Sequence, residues 1–296
     1  MKIIFILILF SNYLFCEDES NNKKIPKLDL RNFGRSMNKI KLNQDPTSFI
    51  PKDKSTILFD SQIDDIKTNA KEFNPLPLTD NNKVFLSTNF GLLKFKLYHK
   101  DSPINCLNFK KLANSGFYDK TLFHHSVPKF LIQGGDILSR NHDVDDDGFG
   151  GPGWVVNAEF SDLTHSRGTL SMIRSKNDVN SAGSQFFISL SDNKKLDGKY
   201  TIIGDLIEGD HVLSRIEKIP TEYKQGLLLC RIAIPYDENP DNWIEIDDPV
   251  SGNKLFSKVP LSDDKNSYSE TLKSMINNLY RPGVPIIVDS IRVYSK

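Results

Sequence analysis

From Lys83 to Tyr98 apolar and polar residues alternate on both sides of Asn89-Phe90-Gly91 (KVFLSTNFGLLKFKLY). A period of two around such a turn predicts a β-hairpin, with Gly91 free to take positive φ. The period then changes. In DSPINCLNFKKLANSGFYD the apolar positions are Ile104, Leu107, Phe109 and Leu112. Asp101 or Ser102 can cap the start, Pro103 suits the first turn and Gly116 the end, so a helix of about three turns is predicted. Short β-rich runs follow, TLFHHSV, KFLIQG, GWVVNAEF, GTLSMIR, SQFFISL and YTIIGDLI, separated by Gly, Asp and Asn. A second helix fits GDHVLSRIEKI at 209–219, and PIIVDSIRVY at 285–294 alternates again as a strand. Many short strands with only two helices predict a mainly β fold, a closed barrel.

The flanking segments read differently. MKIIFILILFSNYLFC carries one Lys and an apolar run from Ile3 to Phe15. That run is too short for an ordinary membrane span and suits the core of a secretory signal, residues 1–16, cleaved after Cys16. The mature chain is then expected in a secretory lumen, a periplasm or outside the cell, with no membrane span left. The alternative is a lipid anchor through Cys16, against which the bulky Phe15 argues. Residues 17–80, rich in Asn, Lys, Asp and Ser and broken by NPLPL, read as a mostly extended polar arm, parts of which lie along the main domain.

Charge narrows the partners. Thirty-eight basic residues balance thirty-eight acidic ones, so no overall field draws the chain to nucleic acid or an anionic surface. Beyond Cys16, Cys106 and Cys230 are too few for a structural zinc site and read as buried thiols, although one bridge between them stays open. DVDDDG at 143–148 opens like a calcium loop, but its twelfth position is Trp154 where a bidentate Glu is needed, so it reads as a solvated acidic turn. The glycines of FGGPG do not open a helix and no G-x-S-x-G elbow is present. No cofactor and no metal is expected.

Four blocks, FHHSVPKFLIQGGD, GGPGWVVNAEF, RGTLSMIRSKNDVNSAGSQFFISL and LDGKYTIIGDLIEG, closely resemble in order and spacing the signature segments of the cyclophilins, the peptidyl-prolyl cis-trans isomerases. The resemblance runs from about Val84 to Ile219. It implies an eight-stranded antiparallel barrel with a helix over each end, formed here by residues 81–296. The strand at 285–294 resembles the family's last, which makes residues 221–283 a large insertion before it, with a possible helix in SETLKSMINNLY at 269–280; the rival is a separate C-terminal subdomain.

The implied chemistry is rotation about an X-Pro amide, whose barrier is about 18–20 kcal/mol because the C–N bond is partly double. An enzyme need only bind the twisted amide better than either planar form. By motif position, Phe130, Leu131, Phe187 and Leu196 line the proline pocket, and Gln133 bonds the substrate backbone. Gln185 shapes the neighbouring surface, Tyr200 stands where the family often has His, and Ile173 and Arg174 meet the peptide through their backbone. Expected partners are proline-containing peptides or unfolded clients.

One departure bears on activity. Family members carry Phe-His-Arg where this chain has Phe123-His124-His125, so His125 stands at the position of the catalytic arginine. Arginine is permanently charged with a five-donor fork; histidine is shorter and mostly neutral near pH 7. Reduced turnover is expected, with a noncatalytic proline-peptide-binding module or chaperone as the alternative. Lys195 replaces a tryptophan that cyclosporin-sensitive members use, which argues against cyclosporin binding. Adjacent strand residues point to opposite faces, so His124 and His125 do not form a metal clamp; His124 reads as a buried structural residue. Arg174 reads as a solvated surface arginine.

Overall fold

The alternating stretch at 83–98 folds as a hairpin, β1 (Asn82–Thr88) and β2 (Gly91–Leu97), paired antiparallel from Lys83↔Lys96 to Thr88↔Gly91. Gly91 takes φ 134°, the freedom the turn demands, and a Cβ there would run into Val212. The computed structural model describes residues 57–295. They divide into two compact units, 57–226 with 278–295, and 227–277.

The first unit holds β1, β2, β3 (His125–Val127), β4 (Leu131–Gly134), β5 (Thr169–Met172), β6 (Phe186–Ser189), β7 (Ile202–Glu208) and β10 (Val288–Ser295). They form one curled eight-stranded sheet in the order β10-β1-β2-β7-β5-β6-β4-β3, antiparallel throughout. β10 pairs with β1 from Asn82↔Ser295 to Thr88↔Val288, so the last strand belongs to this sheet.

The closed barrel is corrected to a half-barrel. Its edge strands β3 and β10 do not pair with each other; the segment before β3 meets the start of β10 through the isolated Leu122↔Ile287 bridge and bonds such as Phe123 N–H to Ile286 O, 2.9 Å, and Val288 N–H to Thr121 O, 2.8 Å. Pro128 ends β3 after three residues, and Pro282 and Pro285 interrupt the approach to β10, each removing a ladder donor. GWVVNAEF is not a strand either. Val156 makes one bridge to Ala182, and the segment's task lies at Glu159.

Glu159 caps α2 (Pro103–Asn114). Ser102 is the N-cap residue, but its hydroxyl donates to Ile202 O at 2.8 Å, and the Glu159 carboxylate accepts Ile104 N–H (3.0 Å) and Asn105 N–H (2.8 Å) instead. A carboxylate there also meets the positive end of the helix. The apolar face of α2, Cys106, Phe109, Leu112 and Ala113, is fully buried. Phe186 forms the hub of the core, meeting Phe109, Tyr118 and Phe123 edge-on at 5.6 to 5.9 Å. α3 (Asp210–Ile216) buries Val212, Leu213 and Ile216.

Helices exist beyond the two expected on the barrel, and the possible helix at 269–280 is present, starting earlier, at Lys265. α1 (Asp60–Glu72) replaces part of the extended arm and buries Ile63 and Ala70 in the core. Its spacing, three to four residues between apolar positions, was masked by a strongly polar composition. The arm and the signal before residue 57 lie outside the described residues. α4 (Glu222–Leu229) follows α3. Residues 227–277 carry β8 (Trp243–Asp247) and β9 (Lys254–Lys258), paired from Trp243↔Lys258 to Asp247↔Lys254, and α5 (Lys265–Asn277). No helix among the described residues is long and apolar enough to cross a membrane. Cys106 and Cys230 are free thiols, and burial pushes Cys106 up to about 12.

Candidate functional site

Residues of β4 and β6 alternate between the two faces of the sheet. Ile132, Phe186 and Ile188 enter the main core, whereas Leu131 and Phe187 are just as buried but stand outside it, as does Leu196. Strand register then aligns a row across this second face: His125 opposes Gln133, Gln133 opposes Phe187, and Phe187 opposes Ser171. A period of two therefore places polar His125 and Gln133 beside an apolar floor.

The floor is held by aromatic contacts. His165 stacks on Phe187 (5.7 Å between centroids, 11°), and Tyr200 meets it edge-on at 5.4 Å. His165 Nδ1 lies 2.8 Å from Asp197 and its Nε2 3.1 Å from the Ser171 hydroxyl. Burial lowers the His165 pKa and Asp197 opposes that shift. A neutral ring then donates from Nδ1 to Asp197 and accepts from Ser171. Phe130, half-buried, is placed by a turn in which Lys129 has φ 62° and Phe130 O accepts Leu190 N–H at 2.9 Å.

Gln133 is oriented through a relay. Its Nε2 donates to Gln185 Oε1 at 2.8 Å, while Gln185 Nε2 donates to the carbonyls of Gly148 and Gly150, both at 2.8 Å. Those glycines belong to a loop anchored on buried Asp136, whose carboxylate accepts Leu138 N–H (2.8 Å), Gly148 N–H and Gly150 N–H. Burial still raises its pKa, the amides opposing. A Cβ on Gly150 would overlap the Asp136 carboxylate, which explains that glycine. Ile173 donates its amide to Gln185 O at 2.9 Å, so that group is spent within the fold and only its carbonyl is left for a peptide.

Position 125 is occupied by a neutral ring. Burial, with His124 alongside, lowers the His125 pKa to about 3. Its Nε2 is shut off from solvent and has no hydrogen-bond partner among the described residues. The Tyr280 ring lies against it, 4.7 Å between centroids, and Tyr280 O accepts Ser126 N–H at 2.7 Å. The segment bearing Tyr280 is clamped by the Thr221↔Pro282 bridge and by Arg281, which donates to Val144 O and faces Glu222 at 3.6 Å and Asp147 at 4.0 Å. Within DVDDDG, Asp143 and Asp145 are exposed as a solvated turn requires, whereas Asp147 is buried. His124 is buried as expected.

Linkage gives this ring a measurable signature. Unfolded, it takes up a proton below its ordinary 6.5; folded, it resists until about 3. Over that window the unfolded state binds more protons, so stability falls as pH falls. The slope is at most about 1.4 kcal/mol per pH unit. Urea unfolding at pH 7 and pH 5 should show His125→Phe losing about 1–2 kcal/mol less than the native protein, because the native ring alone carries that slope. Equal losses would refute the buried neutral ring.

Arg174 is half-buried, contrary to a freely solvated arginine: its guanidinium lies 5.0 Å from the Tyr200 ring. Sequence reasoning missed Asp136, His165, Ser171 and Tyr280. Asp136 and Ser171 lie inside the recognised blocks and His165 between two of them, but their roles depend on which face each occupies. Tyr280 falls in the insertion, where no pattern pointed to position 125. Among the described residues no three His, Cys, Asp or Glu side chains converge as a metal site.

A family model described as cyclophilin type peptidyl-prolyl cis-trans isomerase/CLD matches residues 83–234, about half of the chain. This chain belongs to the cyclophilin family. A mouse relative, "Probable inactive peptidyl-prolyl cis-trans isomerase-like 6", is 40% identical over 153 residues, 48% of this chain and 48% of that protein. The cyclophilin chain thus spans about half the length of that relative. A peptidyl-prolyl cis-trans isomerase of Acinetobacter baylyi is 35% identical over 146 residues, 48% of this chain and 74% of its own. A Cryptosporidium parvum cyclophilin type isomerase crystallised in the presence of the dipeptide Ala-Pro aligns with TM-score 0.49 at 28% identity, over 72% of this chain and 99% of that one.

Proposed function

We propose that the outer face of β3, β4, β5 and β6 binds X-Pro peptides, and that the protein is a peptidyl-prolyl isomerase of low turnover. The observation that carries this reading is the row His125–Gln133–Phe187, with buried apolar side chains that the core does not use. Phe130, Leu131, Phe187 and Leu196 would take the proline ring. Gln133, held by Gln185, would bond the flanking peptide. Such a site accelerates rotation only through groups that bind the twisted amide better than the planar one. A neutral ring at position 125 supplies little of that preference.

The low pKa and occluded Nε2 of His125 favour a second reading, a noncatalytic proline-peptide binder or chaperone. NMR titration with an Ala-Ala-Pro-Phe peptide separates them. Shifts at Phe130, Leu131, Phe187 and Leu196 with cis–trans exchange cross-peaks mean isomerase; shifts without exchange mean binder. Absence of shifts there would refute both.

The apolar run from Ile3 to Phe15 supports clients in an exported compartment, where proline rotation limits folding. Mass spectrometry of the secreted chain should find a new N-terminus after Cys16; retention of residues 1–16 would overturn that. Exposed Lys195 at the tryptophan position supports insensitivity to cyclosporin.

A further inference from the structure

The apolar floor is rimmed by cations. Arg174 is half-buried, and Lys129, Lys176, Lys194, Lys195 and Lys199 are exposed in the segments that carry Phe130, Leu196 and Tyr200. In a chain of zero net charge this is a local excess. The carboxylates of the same segments are fewer: Asp178 and Asp192 are exposed and accept Asn180 N–H (2.9 Å) and Arg167 N–H (3.1 Å), and Asp197 holds His165.

Arg174 is the positioned member of the rim. Its Nε donates to Lys199 O at 3.2 Å and its Nη1 to Ser175 O and Lys176 O, both at 3.0 Å. Its plane lies over Tyr200, which abuts Phe187. Nη2 donates to no acceptor among the described residues. A guanidinium fixed at three points and stacked has already lost its rotamer freedom, so one more bond to a ligand costs little entropy. A bond from a cation is strongest to a carboxylate.

We propose that Arg174 makes this groove select proline peptides that carry an acidic side chain beside the X-Pro bond, its Nη2 donating to that carboxylate within the lysine rim. This rests on the proline-peptide reading above. It makes Arg174 a specificity-determining side chain, beyond the backbone contact that its position implies.

The test uses purified protein and otherwise identical X-Pro peptides with Glu, Ala or Lys on either side of the proline, measured by calorimetry. The Glu peptide should bind about tenfold more tightly than the Lys peptide at low salt, the size of one charge-assisted bond. That ratio should approach one in about 0.5 M salt. Arg174→Gln should collapse it and Arg174→Lys restore part of it. Equal affinities in the native protein overturn the proposal. So does a preference that survives Arg174→Gln, which would belong to the lysines. Failure of every peptide to bind overturns instead the groove reading beneath it. Thermal unfolding of each variant separates misfolding from lost selectivity, and the salt response of the native protein tests the electrostatics without any substitution.

Discussion

His125→Arg should raise kcat/KM for a standard X-Pro peptide by about a hundredfold, the effect that one well-placed transition-state donor has in other enzymes. The physical case starts at Nε2, which is buried and without a partner in a ring that stays neutral down to about pH 3. Arginine in the same strand position opposes Gln133. Its longer arm carries the charge past the Tyr280 ring, against which a guanidinium plane can stack. Protease-coupled or exchange-NMR assays, with peptide affinity measured alongside, divide the outcomes. A rise in kcat at unchanged affinity identifies the missing donor. If affinity is retained and kcat does not rise, Tyr280 blocks the donor's path and the low-turnover account is wrong about its cause. Tyr280→Ala combined with His125→Arg then tests that block directly.

Asp136→Ala should destabilise the protein by about 3 kcal/mol or more, because it strips the partner from three amides at once. The carboxylate is fully buried and collects Leu138, Gly148 and Gly150 N–H. The truncation also opens a cavity against Gly150. Denaturant unfolding measures the loss. A second readout follows from the relay: the carbonyls of Gly148 and Gly150 hold Gln185, and Gln185 holds Gln133. The side-chain amide resonances of Gln133 and Gln185 should therefore broaden or shift in the variant even where it is fully folded. A loss below about 1 kcal/mol, within the range of an ordinary single bond, would mean the loop holds itself.

The sequence made legible whatever depends on local period and punctuation. The β1–β2 turn at Asn89–Phe90, the helix ended near Gly116 and the strand at 285–294 all follow from alternation or from a cap. GWVVNAEF misled because β-rich composition measures fitness for a half-buried surface, and that segment is pinned to α2 by Glu159 instead of entering a ladder. α1 was hidden because Ile63 and Ala70 are few among charges, and only their burial in the core stabilises the helix. The candidate site was legible through motif positions, but its physical state was not. That Arg174 stacks and that position 125 is covered are facts about distant chain segments meeting, which no spacing encodes.

The insertion has a consequence for how the protein could be rebuilt. Gly283 N–H donates to Pro220 O at 2.8 Å and Glu222 N–H to Arg281 O at 2.9 Å, beside the Thr221↔Pro282 bridge. The chain on either side of the insertion is therefore held together within the unit of the sheet. Whatever is spliced between residues 227 and 277 meets the same two closely spaced ends, so a reporter or a foreign domain could be exchanged there while β10 keeps its place beside β1.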